Sequence, residues 1–228
     1  MQIQDGEFGL VLFDLDGTLA DTAPDMVSTL QAMQSDFGLE PSNYDFARLH
    51  VSNGAMGLLS IGFPGADEDE FEDLTSDYLE RYSKRLCDET IVFAGIAELL
   101  DALDDIDCPW GVVTNKPEHL TNPLLDLLGL ASRSACIISG DTLPVRKPDP
   151  APILLGCDIA SIDPHRTLYI GDAERDIEAG RRAGTATIAA AYGYITPDDD
   201  PREWDPDVIV TDTEELAQIV LKAVNLEF

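Results

Sequence analysis

Six short apolar runs recur along the chain, and they constrain its fold more than any other feature. Each run is short enough to form one buried strand, and most of the segments between them have the apolar spacing of helices. This alternation indicates a Rossmann-like α/β fold, a parallel sheet with helices on both faces. The predicted strands are residues 10–13, 110–113, 136–138, 168–170, 185–189 and 208–210, and the predicted helices are residues 96–103, 120–128, 151–155, 177–183 and 214–224.

The stretch that follows the first run breaks the alternation. Apolar residues recur at helical spacing over residues 26–37, which lie between Pro24 and Gly38, and again over residues 71–82, after an acidic start at residues 67–70. We therefore predict a small helical cap domain inserted into the α/β domain. The predicted boundaries are 1–19 and 91–228 for the α/β core and 20–90 for the cap.

The charge of the chain limits its partners. Its 228 residues include 14 Lys and Arg but 44 Asp and Glu, for a formal net charge of -30. Such a charge repels nucleic acids and anionic membranes, so we expect neither as a partner. It also repels an anionic substrate, which would have to be held by a metal ion and a few local cations.

The four cysteines are scattered and lack the spacing of a zinc or redox site, so we expect them to be reduced and buried. No segment has the roughly 18 consecutive apolar residues that a membrane span needs. We expect a cytoplasmic protein. Nothing in the sequence indicates an oligomeric state.

Polar residues that suit phosphate chemistry follow three of the predicted strands. Asp14 and Asp16 follow the first, Thr114 and Asn115 the second, and Asp172 and Asp176 the fourth, while Lys147 lies in a loop that leads toward the same edge. Ligands of open parallel sheets bind at the carboxyl ends of the strands. Carboxylates crowded there repel one another unless a hard cation such as Mg²⁺ binds among them.

These residues predict a covalent mechanism. We expect Asp14 to attack phosphorus while Asp16 protonates the leaving oxygen. Asp14 and Asp172 would bind Mg²⁺ through carboxylates and Asp16 through its backbone carbonyl, and Asp176 would hold a metal-bound water.

Four segments, DLDGTLADT, VVTNK, RKPDP and GDAERD, resemble in order the motifs of the haloacid dehalogenase superfamily of phosphatases. The resemblance spans nearly the whole chain. It implies Asp14 as nucleophile, Asp16 as acid and base, Thr114 and Lys147 as phosphate ligands, and Asp172 with Asp176 as the acidic metal pair. We also assign Asn115, next to Thr114, to the phosphate site.

Within that superfamily the predicted cap resembles the phosphoglycolate phosphatase-like members. The segments WGVVTNKP and GYITPDDDPREWDPDVIV are more similar still to N-acetylmuramic acid 6-phosphate phosphatases. This resemblance implies a small phosphoester as substrate, approached in the cap by Arg48, Ser52, Asn53 and Gly54. A surface role for Arg48 stays open, as do two other functions: a phosphosugar mutase of the same fold and a phosphate-binding module without turnover.

Overall fold

The protein, described by a computed structural model at residue 3 and residues 5–224, is built around a six-stranded parallel sheet. The strands of the sheet are β1 (Leu10–Phe13), β4 (Trp110–Val113), β5 (Ile137–Ile138), β6 (Thr167–Gly171), β7 (Ala186–Ala190) and β8 (Val208–Val210). Their order in the sheet is β5-β4-β1-β6-β7-β8. This arrangement confirms the predicted α/β fold, and each predicted strand is present with shifts of one residue at some ends.

Nine α-helices lie within the described residues. The first four, all in the segment between β1 and β4, are α1 (Ala23–Asp36), α2 (Tyr44–Arg48), α3 (Gly54–Gly62) and α4 (Glu68–Ser83). The other five cover the sheet and are α5 (Ile96–Asp105), α6 (Glu118–Leu127), α7 (Ala151–Ala160), α8 (Glu174–Ala183) and α9 (Thr213–Ala223).

The central strand β1 is buried on both faces because its side chains alternate between two apolar cores. Val11 and Phe13 belong to the core that includes residues of α5 and α9. Leu10 and Leu12 belong to the opposite core, beneath α7 and α8. The sheet is therefore a rigid support for whatever follows the ends of its strands.

The helical segment is joined to the sheet domain by a short antiparallel ribbon, β2 (Ala20–Asp21) paired with β3 (Ile91–Val92). The predicted cap boundaries fall at this ribbon. Between the two strands α1, α3 and α4 pack together, and their core includes Val27, Leu58 and Tyr78. We call residues 20–90 the insert.

Local sequence patterns predict some of the helices of the insert but not others. The acidic start at residues 67–70 is a capping box, in which Asp67 and Glu70 each accept a backbone N–H of the other. Helices α2 and α3 were not predicted. The 3₁₀ helix Val51–Asn53 is followed directly by α3, because Gly54 adopts a positive φ of 64° there.

Three of the four cysteines are buried, and the prediction is wrong for Cys87, which is half-buried. All four are free thiols, as expected. Burial raises the pKa of the Cys136 thiol to about 11, so it is neutral at physiological pH. No helix in the described part of the chain is both long and apolar enough to span a membrane.

Candidate active site

The ends of three neighbouring strands bring the predicted site residues together. Asp14 follows β1, Thr114 follows β4 and Asp172 follows β6, and β1 pairs with both of the other strands. Parallel strands present their carboxyl ends at one edge, so the three residues share a small space. Lys147 and Asp176 reach the same space from the loop before α7 and from the first turn of α8.

Three carboxylates crowd this edge and are all buried. One oxygen of each of Asp14, Asp172 and Asp176 lies within 4.8 Å of one oxygen of each of the others. We call these residues the carboxylate cluster. The buried Lys147 Nζ lies 2.9 Å from Asp14 Oδ1 and 2.7 Å from Asp176 Oδ1. One ammonium thus faces two of the three carboxylates, and the third forms no ion pair within the described part of the chain.

Asp172 is that third carboxylate, and its surroundings fit a divalent cation. Burial, together with the charges of Asp14 and Asp176, raises the pKa of Asp172 to about 7. Its Oδ2 accepts hydrogen bonds from Ser52 Oγ (2.5 Å) and Tyr194 N (2.8 Å), but its buried Oδ1 has no partner among the described residues. Mg²⁺ prefers oxygen ligands, and the unpaired Oδ1 of Asp172 is such an oxygen.

Two glycines allow the chain to close around Asp172. Gly17 has a positive φ of 81°, and a Cβ built there would overlap the Asp172 carboxylate. A Cβ at Gly193 would likewise overlap Asp172. Only glycine, which has no Cβ, lets the loops after β1 and β7 approach the carboxylate this closely.

Asp16 lies outside the carboxylate cluster and has its own partners. Its Oδ1 accepts hydrogen bonds from Thr22 Oγ1 (2.7 Å) and from Lys116 Nζ (2.9 Å). Lys116 is buried and also contacts the hydroxyl of Tyr82, in the insert, at 3.0 Å. The carboxylate of Asp16 thus has a lysine partner different from that of Asp14, which suits a separate proton carrier.

Lys116 is a site residue that the sequence analysis did not assign. It belongs to the quoted VVTNK segment and follows Thr114 by two residues, so its position after β4 was the available signal. Thr114 is buried, and its Oγ1 accepts the backbone N–H of Lys116 at 3.1 Å.

Asn115 contacts the lysine loop. Its side-chain nitrogen donates to the backbone carbonyl of Lys147 (2.9 Å), and its side-chain oxygen accepts the backbone N–H of the same residue (3.1 Å). The amide therefore positions Lys147, and its predicted contact with phosphate stays a prediction.

The predicted cap residues divide into two groups. Ser52, Asn53 and Gly54 line the cavity above the carboxylate cluster. Arg48 is not among the lining residues; its guanidinium lies 3.6 Å from an oxygen of Asp21 and 4.7 Å from the ring centre of Tyr194.

A cavity of about 560 Å³ lies between the end of the sheet and the insert. Its floor includes Asp14, Asp16 and Lys147, and the insert contributes side chains such as those of Met56 and Tyr78. Arg175, at the start of α8, also lines the cavity and donates hydrogen bonds to the insert, to Ser52 O (2.5 Å) and Asn53 Oδ1 (3.4 Å). A cavity of this volume is typical of small-molecule sites.

Comparison with known proteins gives concordant matches. Residues 11–190 match the family model described as haloacid dehalogenase-like hydrolase. The chain is 44% identical over 215 residues to a protein of Pseudomonas aeruginosa named N-acetylmuramic acid 6-phosphate phosphatase, covering 94% of this chain and 95% of that protein. It is 43% identical over 206 residues to a protein of Xanthomonas campestris named phosphoglycolate phosphatase, covering 90% of this chain and 93% of the relative.

A solved structure has the same architecture. The crystal structure described as that of a predicted phosphoglycolate phosphatase from Haemophilus somnus superposes with a TM-score of 0.83 at 29% identity. The match covers 94% of this chain and 98% of that one, so it includes the insert as well as the sheet.

Proposed function

The chain belongs to the haloacid dehalogenase-like hydrolases, and we propose that it is a magnesium-dependent phosphatase in which Asp14 forms a covalent aspartyl-phosphate. The observation that carries this proposal is the buried carboxylate cluster, with Lys147 between Asp14 and Asp176, beside a ligand-sized cavity that Asp14 and Lys147 line. Asp14 and Asp172 would bind the metal ion, and Asp176 would support it. The bound ion offsets the negative charge of the phosphoryl group.

In the proposed reaction, an Asp14 oxygen attacks phosphorus and the bond from phosphorus to the leaving oxygen breaks. Asp16 gives its proton to that leaving oxygen, and it later takes a proton from the water that hydrolyses the aspartyl-phosphate. Lys147 and Thr114 bind the phosphoryl oxygens as charge builds up on them. Lys116 keeps the Asp16 carboxylate oriented through its 2.9 Å contact.

We propose N-acetylmuramic acid 6-phosphate as the substrate, with 2-phosphoglycolate as the second candidate. The cavity of about 560 Å³ offers more space than glycolate fills, and apolar side chains such as Val51, Met56 and Leu79 line its insert side. A sugar-sized leaving group with apolar substituents suits that wall. The relatives named for each substrate match this chain at nearly equal identity, so identity does not separate the two.

Phosphate release from both esters, with and without Mg²⁺, tests the proposal. We expect Mg²⁺-dependent release by the wild type, faster with N-acetylmuramic acid 6-phosphate. Asp14→Asn should be at least about 1,000-fold slower, the scale on which a lost nucleophile acts. Asp198→Asn, the same change at an exposed site outside the cavity, is the matched control and should leave release unchanged.

Equal rates for Asp14→Asn and the wild type would contradict covalent catalysis by Asp14. Isomer formation from a hexose phosphate without net phosphate release would instead favour a mutase. Cytoplasmic location stays a prediction, which cell fractionation tests.

A further inference from the structure

Arg146 differs from most cations of this acidic chain. All but three of the 14 lysines and arginines form an ion pair with a described carboxylate. The three exceptions are Arg146, Arg166 and Arg175. Arg146 is exposed, so its guanidinium is hydrated in the free protein and is accessible to a ligand.

Two of the three exceptions are satisfied by neutral acceptors. Arg166 donates to the backbone carbonyl of Glu7 at 3.2 Å, and Arg175 donates to Ser52 and Asn53 in the insert. The Arg146 guanidinium has no hydrogen-bond acceptor within the part of the chain that the structure describes. All five of its N–H donors remain open to a ligand.

Arg146 lines the same cavity as Asp14 and Lys147, and hydrogen bonds hold its backbone there. On one side, Asn115 makes two hydrogen bonds to the backbone of Lys147. On the other, the Arg146 carbonyl accepts the backbone N–H of Asp149 at 2.9 Å. The guanidinium therefore extends from a held loop beside the catalytic lysine.

No carboxylate among the described lining residues is available to neutralise Arg146. The acidic residues among the described lining are Asp14 and Asp16, and each already has a lysine partner, Lys147 and Lys116 respectively. In the proposed reaction, Lys147 at the floor of the cavity binds the phosphoryl group. Arg146 is thus a surplus positive charge at the cavity, placed for a second anion.

We propose that Arg146 binds a carboxylate on the leaving group of the substrate. The planar guanidinium matches a carboxylate with two parallel N–H···O hydrogen bonds, which a lysine does not provide. The inference rests on the phosphatase function proposed above, and both substrates considered there carry a carboxylate. It adds the residue that selects esters whose leaving group carries a carboxylate.

Two matched pairs of esters test this role. N-Acetylmuramic acid 6-phosphate and N-acetylglucosamine 6-phosphate differ by the lactyl ether that carries the carboxylate, and 2-phosphoglycolate and 2-hydroxyethyl phosphate differ at the carboxylate itself. We expect Arg146→Gln to lower kcat/KM by about 10- to 100-fold for the carboxylated member of each pair, the scale of a charged hydrogen bond. Turnover of the members without a carboxylate should change less than about threefold, within the range of a surface charge.

Arg202→Gln is the matched control, because it removes the same charge from an exposed arginine outside the cavity lining. Its kcat/KM should equal that of the wild type for all four esters. Retained turnover of the two esters without a carboxylate also shows that Arg146→Gln is folded.

Equal losses on both members of a pair would overturn the inference, because Arg146 would then serve the phosphoryl group that all four esters share. Equal losses in Arg202→Gln would overturn it as well, since the net charge would be the cause. Absence of phosphate release from every ester by the wild type would overturn the phosphatase function and the inference together.

Discussion

The end of the sheet and the wall of the insert face each other across one cavity, but their chemistry differs. At the sheet, buried charges lie in contact, with Lys147 Nζ 2.9 Å from Asp14 and 2.7 Å from Asp176. The insert contributes apolar side chains and neutral donors such as Ser52, which contacts Asp172. In the proposed reaction the two regions have separate tasks: the sheet supplies the charges that act on phosphate, and the insert shapes the space for the leaving group.

The largest effect expected at the sheet end is that of Lys147→Met. Removal of the ammonium breaks the ion pairs of two buried carboxylates, which we expect to lower the free energy of unfolding by about 3–5 kcal/mol. We also expect kcat/KM to fall at least about 1,000-fold for every ester, because the phosphoryl oxygens lose their cation. Urea denaturation and phosphate release measure the two effects.

Lys84→Met is the control for that change, since Lys84 pairs with Glu80 on the exposed surface of α4. It should alter the free energy of unfolding by less than about 1 kcal/mol. Similar losses in the free energy of unfolding for the two variants would show that the buried ion pairs of Lys147 stabilise the protein no more than an exposed one does.

Asp172→Asn should stabilise the metal-free protein. The Asp172 carboxylate is buried near two others and forms no ion pair with a described residue, so its neutralisation should add about 1–3 kcal/mol to the free energy of unfolding. Mg²⁺ should raise the Tm of the wild type by binding the folded state, and this rise should vanish in the variant. Thermal unfolding with EDTA and with Mg²⁺ measures both, with Asp198→Asn as control.

A lower Tm for metal-free Asp172→Asn, with the Mg²⁺ response intact, would contradict the assignment of Asp172 to the metal site. It would indicate that the hydrogen bonds from Ser52 and Tyr194 to its carboxylate are purely structural.

Lys116→Met tests the contact that joins the two regions. We expect kcat to fall about 10- to 100-fold for alkyl phosphates, because Asp16 loses the group that orients it as an acid. An aryl phosphate has a leaving group that needs little protonation, so its kcat should fall much less. The ratio of the two rates is the readout, and equal losses would show that Lys116 does not act through Asp16.

Of these substitutions, Met56→Ala should change kcat/KM least, and the change should appear only with the sugar phosphate. Met56 lines the insert side of the cavity, so its truncation should lower kcat/KM for N-acetylmuramic acid 6-phosphate by about three- to tenfold, as lost apolar contact does. Turnover of 2-phosphoglycolate should not change. Phe46→Ala, an exposed insert residue outside the cavity lining, is the control.

The sheet end could be predicted from the sequence because strand ends are marked locally. A short apolar run followed by Asp14, Thr114 or Asp172 places each side chain at the same edge, whatever the surrounding helices do. The fold class follows from the same runs, and the structure confirms it. The assigned chemical roles of these residues stay predictions.

The contacts between the insert and the sheet domain could not be predicted in this way. Helix α3 begins at Gly54, a residue that usually ends helices, and its position depends on packing against α1 and α4. The contacts of Ser52 with Asp172 and of Lys116 with Tyr82 join residues far apart in the sequence. No local pattern records such pairs, since they arise only when the insert closes over the sheet.

The central claim is that an oxygen of Asp14 becomes bonded to phosphorus, and trapping that bond tests it most directly. Borohydride reduces an acyl phosphate, so reduction during turnover with Mg²⁺ and N-acetylmuramic acid 6-phosphate should convert Asp14 to homoserine. Peptide mass spectrometry should find that conversion at Asp14, and neither at Asp16 nor at the exposed Asp198. Continued phosphate release with no reduction at Asp14, or with reduction at another residue, would contradict the account.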